Sequence, residues 1–179
     1  MRIIVIEDNE LYKNELLQCL EQEESDIEIV GSASNGAEGL ALTEKLIRDN
    51  LTPDVIFTDV RMPEVDGFEM IEALQRRGIS CKIVVTSSCP EFLYAKRAME
   101  LGAVDFLVKP LKVYEVRNVL GRLRRELESE KKWKHILNLE YIFLNAMAGK
   151  IKDDRRPYKG RIRDCTGGTD WCSWYRHEF

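Results

Sequence analysis

The sequence predicts an α/β fold: a doubly wound, five-stranded parallel sheet with a C-terminal helical extension. Three observations predict it. Short runs rich in Ile, Val and Phe alternate five times with longer amphipathic segments, the pattern of β–α units joined by crossovers. The runs are almost continuously apolar, as strands covered on both faces must be. Reactive side chains recur just beyond those runs, where open α/β sheets bind their ligands.

The first strand is expected over 2–6 (Arg2-Ile3-Ile4-Val5-Ile6), followed at once by Glu7 and Asp8. Leu11, Leu16, Leu17 and Leu20 give the next segment a helical stripe. A second strand is expected over 27–31. Asn35 is placed to cap a helix over Gly36–Arg48 that carries Leu40, Leu42, Leu46 and Ile47. The third strand, 54–58, ends at Asp59, on a loop bounded by Pro63 and Gly67. Phe68, Ile71 and Leu74 mark a third helix stopped by Gly78. Strand four, 82–86, ends on Thr86. Phe92, Ala95, Ala98, Met99 and Leu101 mark a fourth helix, stopped by Gly102. Strand five, 104–108, leads into Lys109-Pro110, and a fifth helix begins near Lys112. Right-handed crossovers and the common order 2-1-3-4-5 for such sheets put strands 1 and 3 side by side at the switch point, so that Glu7, Asp8 and Asp59 meet.

Beyond Pro110, Val113, Val116, Leu120, Leu123 and Leu127 follow spacings of three and four. The register passes Glu130 and Lys134 and regains Leu137, Tyr141 and Leu144, like a heptad seam with a polar break. Residues 113–127 are expected to cover the sheet, and 126–149 to form a helical linker or dimerisation segment. After Gly149 periodicity ends, and 150–179 reads as a disordered tail. Cys165, Cys172 and His177 lie there, but their spacing is too open and their number too small for a structural zinc site.

The net charge of −4 hides an asymmetry: residues 1–110 carry −10, 111–150 carry +4 and 151–179 carry +2. The basic segment admits nucleic acid as a partner, although a solvated helix of mixed charge is the favoured reading. No apolar run reaches the roughly 18 residues of a membrane span, and the N-terminus turns acidic too early for a signal peptide. Five cysteines without a paired framework suit a reducing compartment. A cytoplasmic chain with no membrane partner is expected.

Asp8 and Asp59 offer the hard oxygen donors that Mg²⁺ requires, with Glu7 acting through a water and a backbone carbonyl just after Asp59 completing the shell. Asp59 is then a carboxylate nucleophile toward phosphorus. Lys109 neutralises charge on the transferred group, and Thr86 donates a hydrogen bond to it. Each residue alone has an ordinary structural explanation as a helix cap or a surface lysine. The specific signal is their joint placement on four separate strand tips.

Glu7-Asp8, the run Asp59-Val60-Arg61-Met62-Pro63-Glu64-Val65-Asp66-Gly67, Thr86, Phe106 and Lys109-Pro110 together resemble a two-component response regulator receiver domain, a flavodoxin-like fold, over roughly residues 1–125. The resemblance implies that Asp59 accepts a phosphoryl group from a sensor histidine kinase or phosphotransfer protein. It implies Mg²⁺ held by Glu7, Asp8, Asp59 and the Arg61 backbone carbonyl, Lys109 and Thr86 as phosphate contacts, and Thr86 with Phe106 as the switch pair. Glu7 stands where the family often has Asp. The segment from Pro90 to Ala98, with Leu101-Gly102-Ala103-Val104-Asp105, is similar to receivers joined to AraC-type DNA-binding domains. No recognition-helix pattern follows residue 125. The expected function is therefore a phosphorylation-controlled switch, not an enzyme, that governs an output, transcription first among them. The alternative is a stand-alone or truncated receiver acting through protein contacts, with homodimerisation on phosphorylation. An Mg²⁺-dependent phosphohydrolase fits less well, because Arg61 stands where such enzymes supply a second acid.

Overall fold

The computed structural model describes residues 1–22 and 27–147. Five strands, β1 (Arg2–Ile6), β2 (Glu28–Ala33), β3 (Val55–Asp59), β4 (Lys82–Ser87) and β5 (Asp105–Val108), alternate with α1 (Glu10–Glu21), α2 (Gly36–Arg48), α3 (Gly67–Arg76), α4 (Phe92–Glu100) and α5 (Val113–Met147). All pairings are parallel and the order is β2-β1-β3-β4-β5, as expected from the sequence. The strand limits differ from expectation by one or two residues, most of all in β2, which runs on to Ala33. The β1–β2 register shifts between Ile3 and Ile4. By internal packing, Met1–Leu139 form one unit and Glu140–Phe179 a second. The expected disordered tail, and Cys165, Cys172 and His177 within it, lie outside the described residues.

Alternate residues of a strand point to opposite faces, and this chain uses both faces. Ile3, Val5, Val55, Phe57, Val84 and Leu107 pack against Leu16, Cys19 and Leu20 of α1 and Val116, Val119, Leu120 and Leu123 of α5. Ile4, Ile6, Ile56, Ile83 and Val85 pack against α2, α3 and α4 through Leu46, Phe68, Met70, Ile71, Leu74 and Ala98. Each of the buried Val, Leu, Ile, Phe and Met side chains contributes about 1.5–3 kcal/mol relative to exposure.

Asn35 caps α2 as expected, and α1 and α3 start on the same chemistry. Asn9 Oδ1 accepts from the N–H groups of Leu11 and Tyr12, and Asn35 Oδ1 from Glu38. Asp66 and Glu69 form a reciprocal capping box on α3. Gly78 and Gly102 end α3 and α4 at φ +66° and +77°, a conformation that glycine adopts without steric cost.

Three expected core positions are corrected. Leu11 is 79% exposed, Phe92 77% and Met99 46%. Leu11 and Phe92 lie in the first turns of their helices. α4 is only nine residues long and buries Ala98 alone. Val113 is likewise partly exposed, while Val119, outside the predicted stripe, is buried.

Candidate functional site

Because every strand runs the same way, every C-terminal tip emerges at one edge. Glu7 follows β1, Asp59 closes β3, Ser87 closes β4 and Lys109 follows β5. Backbone hydrogen bonds weld these tips together: Glu7 N–H to Ala33 O at 3.0 Å, Val60 N–H to Thr86 O at 3.1 Å and Lys109 N–H to Ser87 O at 2.9 Å.

The loop after β3 is folded back on itself. Gly67 N–H donates to Val60 O and Gly36 N–H to Val65 O, each at 3.0 Å. A Cβ on Gly67 would overlap the carbonyl oxygen of Asp59. Glycine is therefore required at this point for the loop to close over the acid.

At the centre Lys109 Nζ lies 2.7 Å from Asp59 Oδ2 and 2.5 Å from Glu7 Oε2. All three side chains are buried. The second oxygen of Asp59 accepts the Val60 N–H at 2.6 Å, which fixes the orientation of the carboxylate. Glu7 Oε1 accepts from Asn9 N–H at 3.3 Å. Burial pushes the Glu7 carboxyl above its ordinary range and the nearby Asp59 charge adds to this, while the hydrogen bond and charge of Lys109 oppose it. The Lys109–Pro110 peptide is cis.

Asp8 is exposed, yet carboxylate oxygens of Glu7, Asp8 and Asp59 all lie within 4.8 Å of one another. Three acids therefore converge against one ammonium, and all the donors are oxygens. That set fits a hard divalent cation such as Mg²⁺, which pairs with carboxylates and keeps waters. A cleft of about 420 Å³ opens onto the cluster, lined by Glu7, Asp8, Asn9, Tyr12, Asp59, Arg61, Ser87, Ser88, Cys89 and Pro90.

The predicted residues fall into two groups. Glu7, Asp8, Asp59 and Lys109 converge, and Arg61 lines the same cleft. Thr86 and Phe106 sit one step back. Thr86 is paired with Asp59 in the sheet register, and its hydroxyl donates to Thr58 O at 3.3 Å. Phe106, half-buried, pairs with Val85 and packs against the cluster that includes Ala98 and Tyr94. The Thr86 hydroxyl is thus bonded to Thr58 O rather than to a carboxylate.

Two features were not legible from the motif. The Tyr12 ring lies 4.6 Å from Lys109 Nζ, and the Arg61 guanidinium donates to Tyr94 Oη at 2.6 Å on α4. For Tyr12 the available signal was its place in the first turn of α1, four residues after Asp8. Tyr94 and Arg61 are 33 residues apart, a pairing that no local pattern marks.

Comparison with known proteins agrees with this geometry. Residues 3–120 match the family model of the response regulator receiver domain. The chain is 36% identical over 126 residues to the transcriptional regulatory protein BtsR of Escherichia coli K12, covering 70% of this chain and 49% of that protein. It thus spans about half the length of that curated relative. Among solved structures, the response regulatory domain of mrkE from Klebsiella pneumoniae superposes with a TM-score of 0.62 at 30% identity, covering 72% of this chain and 99% of that one. The REC domain of AraT, a response regulator from Geobacillus stearothermophilus, superposes with a TM-score of 0.63 at 27% identity, covering 73% and 97%.

Proposed function

The chain belongs to the response regulator receiver domain family, and from that premise we propose that Asp59 is its phosphoacceptor, charged by a sensor histidine kinase or a phosphotransfer protein. The observation that carries this reading is the buried bridge of Lys109 between Asp59 and Glu7, with Asp8 beside it at the mouth of the cleft.

In the proposed reaction a carboxylate oxygen of Asp59 forms a P–O bond as the P–N bond of a phosphohistidine breaks, and the electron pair leaves with the imidazole nitrogen. The Val60 N–H and Lys109 hold the attacking carboxylate in one orientation. Lys109 is already placed to neutralise charge on the arriving oxygens. Mg²⁺, held by Glu7, Asp8, Asp59 and the Arg61 backbone carbonyl, would supply further charge neutralisation at those oxygens. Thr86, adjacent to Asp59 in the sheet, would exchange its bond to Thr58 O for one to the phosphoryl group. Phe106 would follow it as the second member of the switch.

The receiver unit is taken as residues 1–125, with 126–149 carrying its state onward. The output is control of transcription, a reading supported by the naming of BtsR as a transcriptional regulatory protein. A receiver acting by protein contact alone is the second reading. It is favoured by the exposed apolar side chains of α5, Trp133, Ile136, Leu137 and Leu139, which offer a face to a second copy of the chain.

The test is labelling of the full chain with radioactive acetyl phosphate in Mg²⁺. The expected result is one acid-stable, base-labile label, prevented when EDTA is present from the start and absent from Asp59→Asn. Undiminished labelling of Asp59→Asn overturns the assignment.

A further inference from the structure

Resting on the phosphoacceptor reading of Asp59, we infer that Tyr12 is a positioning residue for Lys109, its aromatic face holding the ammonium in line with Asp59 while leaving its N–H groups available to an anion. The Lys109 side chain is only 1% exposed, and both of its carboxylate partners, Glu7 and Asp59, line the open cleft. Carboxylates account for two of its neighbours, at 2.5 and 2.7 Å. The Tyr12 ring, centred 4.6 Å from Nζ, is a further group set against it. Tyr12 itself lines the cleft.

Its placement is built into the fold. The Asn9 side chain that starts α1 accepts from the backbone N–H of Tyr12 at 3.4 Å and of Leu11 at 2.9 Å. Asn9 N–H in turn donates to Glu7, the carboxylate that holds Lys109 from another side. Tyr12, Asn9, Glu7 and Lys109 therefore form one connected group running from the helix cap to the ammonium.

The choice of an aromatic face matters. A third carboxylate here would keep Lys109 from the phosphoryl group, because a charged acceptor competes for the same protons. A ring attracts the cation through its quadrupole, less strongly than an ion pair does. Lys109 can therefore hand an N–H to an arriving phosphoryl oxygen while the ring prevents it from swinging out toward water. An aliphatic side chain of similar bulk covers the ammonium without attracting it.

The test compares Tyr12→Leu and Tyr12→Phe with the unsubstituted full chain, using beryllofluoride with Mg²⁺ as the probe and ¹⁹F NMR to measure its affinity. Tyr12→Leu is expected to weaken binding about fivefold, the scale of a partly desolvated cation–π contact, and Tyr12→Phe to restore it. Combined with Lys109→Met, Tyr12→Leu should add no further loss, since the effect passes through Lys109. Without any ligand, the Lys109 ε-methylene protons should show an upfield ring-current shift that Tyr12→Leu removes and Tyr12→Phe keeps. Unchanged affinity in Tyr12→Leu, an undiminished effect on the Lys109→Met background, or no ring-current shift each overturns the inference. Failure of the unsubstituted chain to bind beryllofluoride overturns the phosphoacceptor reading itself and this inference with it.

Discussion

Lys109 is the one cation among the described residues that bridges two buried carboxylates, and its removal would strand both. Breaking a buried ion pair from one side is costly because the partner charge stays behind in a poorly solvated place. Proton uptake by Glu7, already held above its ordinary range by burial, limits the loss. Lys109→Met is therefore expected to lower stability by about 3 kcal/mol at neutral pH without divalent cation. Mg²⁺ should recover part of this, since a ligand that binds the folded state alone stabilises it. Urea unfolding with and without Mg²⁺ measures both effects, and a variant as stable as the unsubstituted protein under both conditions would contradict the account. At this scale the sequence marked Glu7, Asp8, Asp59 and Lys109 as residues that would converge, and they do, because their tips were marked by the strands before them. It did not mark Tyr12, because the partner of an aromatic ring 97 residues away depends on how two elements pack.

Elements show a similar division. The capped start of α2 was legible from Asn35, because a capping side chain bonds backbone groups two or three residues away; Asn9 and Asp66 cap α1 and α3 in the same local way. The exposed faces of α1 and α4 were not. Leucine and phenylalanine at helical spacing announce a helix, but which turn reaches the sheet depends on where the strand edge stops. The loop between β3 and α3 carries the sharpest test. Gly67→Ala forces a Cβ against the Asp59 carbonyl, so the loop must shift and take Asp59 with it. Gly78→Ala meets open space but needs φ +66°. Gly78→Ala is expected to cost about 1 kcal/mol with beryllofluoride affinity intact. Gly67→Ala should lose stability and affinity together. Parallel thermal unfolding and affinity measurements separate the two, and normal affinity in Gly67→Ala would remove that glycine's proposed role.

For the whole molecule, the proposed switch is a shift between two states, and carrying it from 1:99 to 99:1 takes about 5.5 kcal/mol of differential stabilisation. Phosphorylation of Asp59 would offer Lys109 and Thr86 new charge-assisted bonds of that order when several act together. If α5 passes the change to a second copy, light scattering of the full chain should show a larger dimer fraction with beryllofluoride and Mg²⁺ than without, and Leu137→Lys should abolish the increase. A monomer under both conditions would exclude this route. Parallel strand direction, burial of both sheet faces and the convergence of Glu7, Asp8, Asp59 and Lys109 were legible in the sequence, because near-continuously apolar strands alternate with helices and the common order of such sheets brings those strand ends to one edge. Only the tertiary structure decided that Thr86 donates to Thr58 rather than to the acids, that Arg61 reaches Tyr94, and that an aromatic ring lies against Lys109. Those contacts join residues from different elements, and their geometry is fixed by how helices settle on the sheet rather than by any local order of amino acids.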